Sequence, residues 1–278
     1  MLFSRKFIDF IIHSNVYLSL GALSFAFISL IILNLSLRVE PLLIPFSTTF
    51  FLYNLNRKTD KKEDSINYPA RMQFLSNYGD TIFWLSIFLY VPSLFLAAIN
   101  SIETLLIALI PTLIMILYAI FRLKKIFLLK NIIASFGWAT MVFLLGSYYN
   151  LSLINLSLLS VLIFIFLRLF MNTVVFDIRD MRGDKLSKII TIPIKIGIRF
   201  TKLILILINV ISFIFILLVA KLFNLNYVSY LIGFIAFIYG LIYISLIGKV
   251  NMKKLCEVVD GEMIVLGIFS FLWLLVIK

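Results

Sequence analysis

Long apolar runs, separated by short charged or polar connections, dominate the 278-residue sequence. A helix needs roughly 20 apolar residues to cross a hydrocarbon core about 30 Å thick. Nine windows approach or exceed that length, and the chain leaves little room between them for a water-soluble unit. The windows are 15–37, 40–55, 81–99, 102–121, 131–149, 151–176, 201–221, 227–247 and 261–277. The sequence therefore predicts an all-α, polytopic membrane protein with nine transmembrane helices, forming a single domain over 1–278.

The distribution of basic residues predicts the orientation of these helices. Of 25 Lys and Arg residues, about 21 lie before the first window or after the second, fourth, sixth and eighth windows. Cytoplasmic connections of membrane proteins are enriched in Lys and Arg, so these segments are predicted to be cytoplasmic. The opposite side has only Arg38, Lys221 and Lys278. We therefore expect a multi-pass protein of the cell membrane with a cytoplasmic N-terminus. The same asymmetry accounts for the net charge of +12 without a nucleic-acid partner.

Composition narrows the kinds of site that the chain can build. With 63% hydrophobic and 14% charged residues, the chain lacks the polar surface of a soluble domain. Its single Cys and single His exclude a multi-cysteine or multi-histidine metal centre within one chain. A bound metal would therefore rest on carboxylates, which favours a hard cation such as Mg²⁺.

Two acidic stripes stand at the predicted cytoplasmic ends of windows 2 and 6. Spacings of i, i+4, i+8 and of i, i+3, i+7 each place three side chains on one face of a helix that turns about 100° per residue. The stripes consist of Asn56, Asp60 and Asp64, and of Asp177, Asp180 and Asp184.

Two interpretations of the stripes remain open at this point. Nearby Lys and Arg side chains would neutralise the carboxylates in ordinary surface ion pairs, which contribute little to stability. Alternatively, the carboxylates hold Mg²⁺ that is also bound by the phosphate oxygens of a substrate. The second interpretation leads to ionisation of an allylic diphosphate, whose developing negative charge the metal and basic side chains would stabilise. The substrate's hydrocarbon tail would stay at bilayer depth.

The motifs around the stripes resemble those of the UbiA superfamily of intramembrane polyprenyltransferases. The first family motif, NxxxDxxxD with an NxPxR tail, is matched by Asn56, Asp60, Asp64, Asn67, Pro69 and Arg71. The second, DxxDxxxD followed by TxP and a glycine, is matched by Asp177, Asp180, Asp184, Thr191, Pro193 and Gly197. The two motifs occur in the family's order and at the expected ends of windows 2 and 6.

The resemblance implies a bundle of nine helices around a central cavity, with Mg²⁺ bridging a prenyl diphosphate to both motifs. We expect Asp60, Asp64, Asp180 and Asp184 to be catalytic and to bind metal together with Asn56 and Asp177. The candidates for diphosphate binding are Arg71, Arg122, Lys124, Lys125 and Arg179. The candidates for other substrate contacts are Asn67, Tyr118, Arg168 and Asn172.

Three side chains have an alternative, structural interpretation. Arg168 lies inside window 6, where it would either orient an acceptor or pack against helix carbonyls. We interpret Asp260, which precedes Gly261, as the N-cap of the last helix. We expect His13 to lie at the membrane interface.

The resulting hypothesis is a Mg²⁺-dependent transfer of a polyprenyl group from its diphosphate to a lipophilic acceptor, with release of diphosphate. Two alternatives use the same acidic clusters: a membrane carrier, and a phosphotransferase acting on lipid alcohols. A carrier is disfavoured because the apolar windows contain no carboxylate between their ends.

Overall fold

The structure, a computed structural model, describes residues 2–59, 69–120 and 126–277. In these ranges, all regular secondary structure is helical. The α-helices are α1 (Leu2–His13), α2 (Val16–Ile32), α3 (Glu40–Thr59), α4 (Pro69–Asn100), α5 (Ile102–Ile120), α6 (Leu129–Ala139), α7 (Phe143–Tyr148), α8 (Leu156–Leu186), α9 (Ile192–Leu222), α10 (Val228–Leu246), α11 (Met252–Asp260) and α12 (Glu262–Ile277). A 3₁₀ turn, Thr140–Val142, joins α6 to α7.

The all-helical fold is confirmed, and each of the nine predicted windows contains helical residues. Six helical segments in the described ranges are long and apolar enough to cross a membrane individually. A seventh is obtained if α1 and α2, which are bent by 70° at His13 to Val16, count as one span. A multi-pass membrane fold follows from these segments, whereas the count of nine spans and their orientation stay predictions.

Helix packing closes a ring. Along one side α2 packs on α3, α3 on α4 and α5, and α5 on α6. Along the other side α6 packs on α8, α8 on α9, α9 on α10, α10 on α12, and α12 returns to α2. The last span of the chain therefore lies against the first, and the inward faces of distant segments meet in the middle of the bundle.

Helix α8 contributes most to the candidate site because it runs uninterrupted for 31 residues. It begins where the Asn155 side chain accepts a hydrogen bond from the backbone N–H of Leu158, at 3.1 Å. At 1.5 Å per residue, the helix extends about 46 Å, longer than the bilayer core alone requires. Its last turns therefore continue beyond the apolar segment and bring the second acidic motif to one end of the bundle.

The segment after α8 turns back sharply into α9. Thr191 is the extended N-cap of α9, and Pro193 occupies its first turn, where a missing N–H costs no hydrogen bond. Gly197 adopts φ 79°, a left-handed conformation that interrupts the helical geometry of α9 and that glycine adopts without strain. These three residues form the tail of the second motif, and the turn that they make allows α9 to pack against α8.

Candidate active site

The second acidic motif lies on the last three turns of α8, as its spacing predicts. One ammonium group joins two of its carboxylates: Lys130 Nζ lies 2.8 Å from Asp177 and 3.1 Å from Asp184. Asn131 donates a further hydrogen bond to Asp177 at 2.8 Å. Asp177 is almost fully buried, and burying a carboxylate is favourable only with such partners. The start of α6 is therefore fixed against the motif by Lys130 and Asn131.

The remaining carboxylate of this motif is paired with its neighbour in sequence. Arg179 donates two hydrogen bonds to Asp180, at 2.8 and 2.6 Å, and its guanidinium lies 4.5 Å from the ring centre of Phe176. Bidentate contacts of this kind fix the plane of the guanidinium. The motif thus presents carboxylates and a basic side chain side by side.

A cavity of about 150 Å³ opens beside Arg179, and we call it the Arg71 cavity. Arg71, from the start of α4, lines it together with Arg179 from α8 and Lys253 from α11. Two of the predicted diphosphate-binding residues, Arg71 and Arg179, therefore face the same space. His13 also lines this cavity, at the bend between α1 and α2.

Two more cavities continue from the Arg71 cavity into the bundle. The Asn172 cavity, about 90 Å³, shares Leu18 and Asp260 with the Arg71 cavity. The Tyr118 cavity, about 170 Å³, shares Tyr53, Ala134 and Trp138 with the Asn172 cavity. The three cavities therefore share walls, and they lead from basic side chains at one end to a mainly apolar lining at the other.

An aromatic pair forms the wall between the two inner cavities. The rings of Tyr53, on α3, and Trp138, on α6, stack with their centres 5.6 Å apart and their planes 13° from parallel. Their electron-rich faces are the groups that attract a cation in an apolar surrounding. Tyr118 and Asn56, two of the predicted site residues, line the Tyr118 cavity on the other side of this pair.

Part of the predicted site lies outside the described residues. Of the first motif, Asn56 lies near the end of α3, where the chain is described up to residue 59. Nearby, Lys58 pairs with Asp80 at 2.8 Å. The site residues beyond the described ranges are Asp60, Asp64, Asn67, Arg122, Lys124 and Lys125.

Arg168 lies away from these cavities, in the interior of the bundle. Its Nε donates to Glu262 at 2.6 Å, and its two terminal nitrogens donate to Asn209 at 2.5 Å and to the Ala236 carbonyl at 2.9 Å. The side chain is 1% exposed. A guanidinium engaged in this way holds α8, α9, α10 and α12 together, so the geometry favours the packing role over contact with an acceptor.

The donor set around α8 suits a hard cation. Asp184 forms an ion pair with Lys130, and Asp180 forms one with Arg179. The carboxylate oxygens of both residues therefore already bind a positive charge, and such oxygens are the ligands that Mg²⁺ prefers. Among residues 2–59, 69–120 and 126–277, no three His, Cys, Asp or Glu side chains gather closely enough to hold a metal by themselves. The expected metal ligands Asp60 and Asp64 lie outside those ranges.

Sequence reasoning missed the role of four residues in this region. Lys130 and Asn131 follow the basic connection after the fourth window, but nothing in their spacing indicates that they contact Asp177. Asp260 was interpreted as an N-cap; instead it is the last residue of α11, and its carboxylate accepts a hydrogen bond from Asn172 on α8, at 3.2 Å. His13 lines the Arg71 cavity rather than only the membrane interface. These contacts join segments that are far apart in sequence.

The sequence profile of the UbiA prenyltransferase family matches residues 22–275. No curated protein sequence matches the chain significantly.

Three solved structures share the fold. The apo structure of a UbiA homologue from Aeropyrum pernix K1 has a TM-score of 0.70 and 12% identity, covering 91% of this chain and 98% of its own. A UbiA homologue from Archaeoglobus fulgidus, bound to GPP and Mg²⁺, has a TM-score of 0.67 and 17% identity, covering 93% and 95%. A digeranylgeranylglyceryl phosphate synthase has a TM-score of 0.57 and 20% identity, covering 93% and 97%.

Proposed function

The chain belongs to the UbiA prenyltransferase family, and from this premise we propose that it transfers a polyprenyl group from an allylic prenyl diphosphate to a lipophilic acceptor. The observation that carries the proposal is the meeting of opposite charges beside an apolar cavity system. The carboxylates of α8 adjoin Arg179, and Arg71 and Arg179 line one cavity that leads towards Tyr53 and Trp138. Such a site suits a substrate with an anionic head and a hydrocarbon tail.

We propose that Asn56, Asp60, Asp64, Asp180 and Asp184 hold Mg²⁺, which supplies charge stabilisation for the leaving diphosphate when bound. The UbiA homologue from Archaeoglobus fulgidus was solved with GPP and Mg²⁺, which supports this assignment by analogy. Asp177, already bonded to Lys130 and Asn131, positions the end of α8 rather than completing the metal site.

Basic side chains would bind the diphosphate. Arg71 and Arg179 are the first candidates because they line one cavity; Arg122, Lys124 and Lys125 complete the set. Fixed cationic groups stabilise the negative charge that develops on the leaving group. The Tyr53 and Trp138 rings, placed between the inner cavities, would shield the allylic cation from water.

Substrate contacts and topology complete the proposal. Tyr118 and Asn172 line the inner cavities and would contact the prenyl chain or the acceptor. Asn67 of the first motif is a further candidate for substrate contact. The chain would form one domain of nine spans with a cytoplasmic N-terminus, and the active site would face the cytoplasm. A prenyl chain would then enter from the bilayer while its diphosphate arrives from the aqueous side.

The test uses purified protein in nanodiscs with geranylgeranyl diphosphate, with and without EDTA. The acceptors are 4-hydroxybenzoate and geranylgeranylglyceryl phosphate, and a reaction with water alone serves as the third condition. We expect diphosphate release that depends on Mg²⁺ and an alkylated product identified by mass spectrometry. Diphosphate release that persists undiminished in EDTA contradicts the proposed metal dependence, and no release in any condition contradicts the proposed transfer.

The same experiment separates the two alternative functions. A phosphotransferase acting on lipid alcohols leaves phosphate in its product, which changes the product mass. A carrier would instead take up substrate into sealed liposomes, coupled to an ion gradient, without releasing diphosphate.

A further inference from the structure

The junction between α11 and α12 is held by contacts from three other helices. The hydroxyl of Tyr17, on α2, donates to the Glu257 carbonyl at 3.1 Å, and that of Tyr239, on α10, donates to the Val258 carbonyl at 2.6 Å. These carbonyls belong to the last turn of α11, and both also accept from the Gly261 N–H, at 3.1 and 3.0 Å. A Cβ at Gly261 would collide with the Tyr17 hydroxyl, so a larger residue at this position would displace the Tyr17 side chain.

The residue after the junction is anchored in the bundle interior. Glu262, the first residue of α12, is 2% exposed and pairs with Arg168 of α8 at 2.5 Å. Because a buried carboxylate needs such a partner, Arg168 fixes the start of α12. The last turn of α11 and the first turn of α12 are therefore both fixed in place.

This fixed junction presents Asp260 to the cavities. Asp260 lines both the Arg71 cavity and the Asn172 cavity, at the wall that they share. Asp180 and Asp184 are paired with basic groups, whereas the recorded hydrogen bond to Asp260 comes from the neutral amide of Asn172. Its carboxylate thus faces the substrate space with its negative charge balanced by no direct salt bridge in the described structure.

We propose that Asp260 is the catalytic residue that accepts the proton which the acceptor loses on prenylation, an inference that rests on the proposed function. The bond between the first prenyl carbon and the diphosphate oxygen breaks, and its electron pair leaves with diphosphate. A new bond forms between that carbon and an oxygen or ring carbon of the acceptor. The hydrogen on that acceptor atom passes as a proton to an Oδ of Asp260, which balances the reaction.

The location of Asp260 also indicates the acceptor's orientation. An acceptor whose reacting atom contacts Asp260 lies between the basic Arg71 cavity and the Asn172 cavity, with its polar end towards Arg71 and Arg179. Its reacting group is then a hydroxyl, or a ring carbon next to one, because such groups form a hydrogen bond to a carboxylate before transfer. Asn172 holds the carboxylate in place through its amide.

The test compares Asp260→Asn with Glu103→Gln in the nanodisc assay with geranylgeranyl diphosphate. Glu103 is exposed in the first turn of α5 and lines none of the three cavities, so its substitution removes an equal charge away from the site. The products measured are the alkylated 4-hydroxybenzoate or geranylgeranylglyceryl phosphate, or free prenol when water is the acceptor. Binding of labelled donor is measured in parallel for each variant.

We expect Asp260→Asn to slow product formation by about 100-fold or more, the range of general base catalysis, with donor binding changed less than about threefold. Glu103→Gln should keep product formation within about twofold of wild type, since Glu103 lies outside the cavities and no proton transfer is assigned to it. Asp260→Glu keeps a carboxylate and should exceed Asp260→Asn in rate by about tenfold or more.

Two outcomes overturn the inference. Product formation by Asp260→Asn at the wild-type rate means that another group takes the proton. A loss of donor binding in Asp260→Asn that matches its loss of product formation means that the carboxylate supports the donor site rather than taking the proton. A wild-type protein that releases no diphosphate contradicts the proposed function itself, so failure of the function and failure of this inference are distinguishable.

Discussion

At the scale of single residues, the candidate site depends on which basic group each carboxylate meets. Lys130 contacts Asp177 and Asp184 together, and both are buried, with Asp177 1% and Asp184 8% exposed. Arg179 holds Asp180. The three carboxylates of one motif therefore have different surroundings, although their spacing makes them look equivalent in the sequence.

Asp184→Asn tests the metal assignment directly. The amide keeps the shape of the side chain and its oxygen still accepts from Lys130, but it loses the charge that a divalent cation requires. We expect Mg²⁺-dependent diphosphate release from geranylgeranyl diphosphate to fall by about 100-fold or more.

Glu103→Gln is the matched control, since Glu103 is exposed in the first turn of α5. It lies about 22 Å along that helix from Tyr118, at 1.5 Å per residue. Its activity should equal that of wild type. An Asp184→Asn protein that retains full activity would remove Asp184 from the metal site.

At the scale of helices, α8 is fixed at two depths by different chemistry. Near its end, Lys130 and Asn131 hold the acidic motif to α6. Deeper in the bundle, Arg168 joins α8 to α9, α10 and α12 through Asn209, the Ala236 carbonyl and Glu262. The deeper contacts fix the helix, and the shallower ones fix the side chains that it presents.

A double-mutant cycle on Arg168 and Glu262 measures the deeper contact. Arg168→Met leaves a buried carboxylate unpaired, and we expect it to lower the free energy of unfolding by about 3–5 kcal/mol in detergent micelles. Glu262→Met should cost a similar amount, because it leaves the guanidinium unpaired. The double variant should lose less than the two single losses together. Additive losses would mean that the two groups do not depend on each other.

Close approach of α9 and α10 gives a second prediction at this scale. The Asn209 side chain occupies the space that a Cβ at Gly240 would need, and it also donates to the Phe237 carbonyl at 2.9 Å. Gly240→Ala should therefore destabilise the fold by about 1–3 kcal/mol in a denaturant titration.

Gly79→Ala provides the control, because the nearest atom to a Cβ there is the Leu75 side chain at an ordinary 3.5 Å. A gain of up to about 1 kcal/mol is expected there from the higher helix propensity of alanine. If both alanine variants prove equally stable, α9 and α10 do not approach as closely as the structure indicates.

At the scale of the whole molecule, the ring of helices determines how the ends of distant segments meet. The packing of α12 on α2 brings the last helix beside the first, and α8 packs between α6 and α9. Nine helices of the described ranges, α1 to α6, α8, α11 and α12, consequently contribute residues to the linings of the three adjoining cavities. The predicted orientation of this ring in the bilayer places the acidic motifs and the basic connections on the cytoplasmic side.

Single-cysteine labelling tests that orientation. In a Cys256→Ser background, Ser152→Cys places a thiol just before α8, and Lys185→Cys places one near the end of α8; both positions are exposed. A membrane-impermeant thiol reagent should label position 152 in intact cells and position 185 only after permeabilisation. The reverse pattern would invert the topology and place the acidic motif outside the cell.

The sequence alone determined three things about this protein: its helical class, the position of Asp177, Asp180 and Asp184 on one helix face, and its family. Each follows from a pattern between residues that are near one another in the chain, namely the apolar windows and the motif spacing. Helix formation depends on periodicity along the chain, which a single sequence displays. The partners of those side chains depend instead on which helices become neighbours. Only the tertiary structure decided that Lys130 joins Asp177 to Asp184, that Arg168 pairs with Glu262 in the interior, and that Asp260 faces the cavities rather than capping a helix. These pairs are separated by 47 to 94 positions in sequence, or belong to different helices, and no local pattern determines which faces will meet when the ring closes.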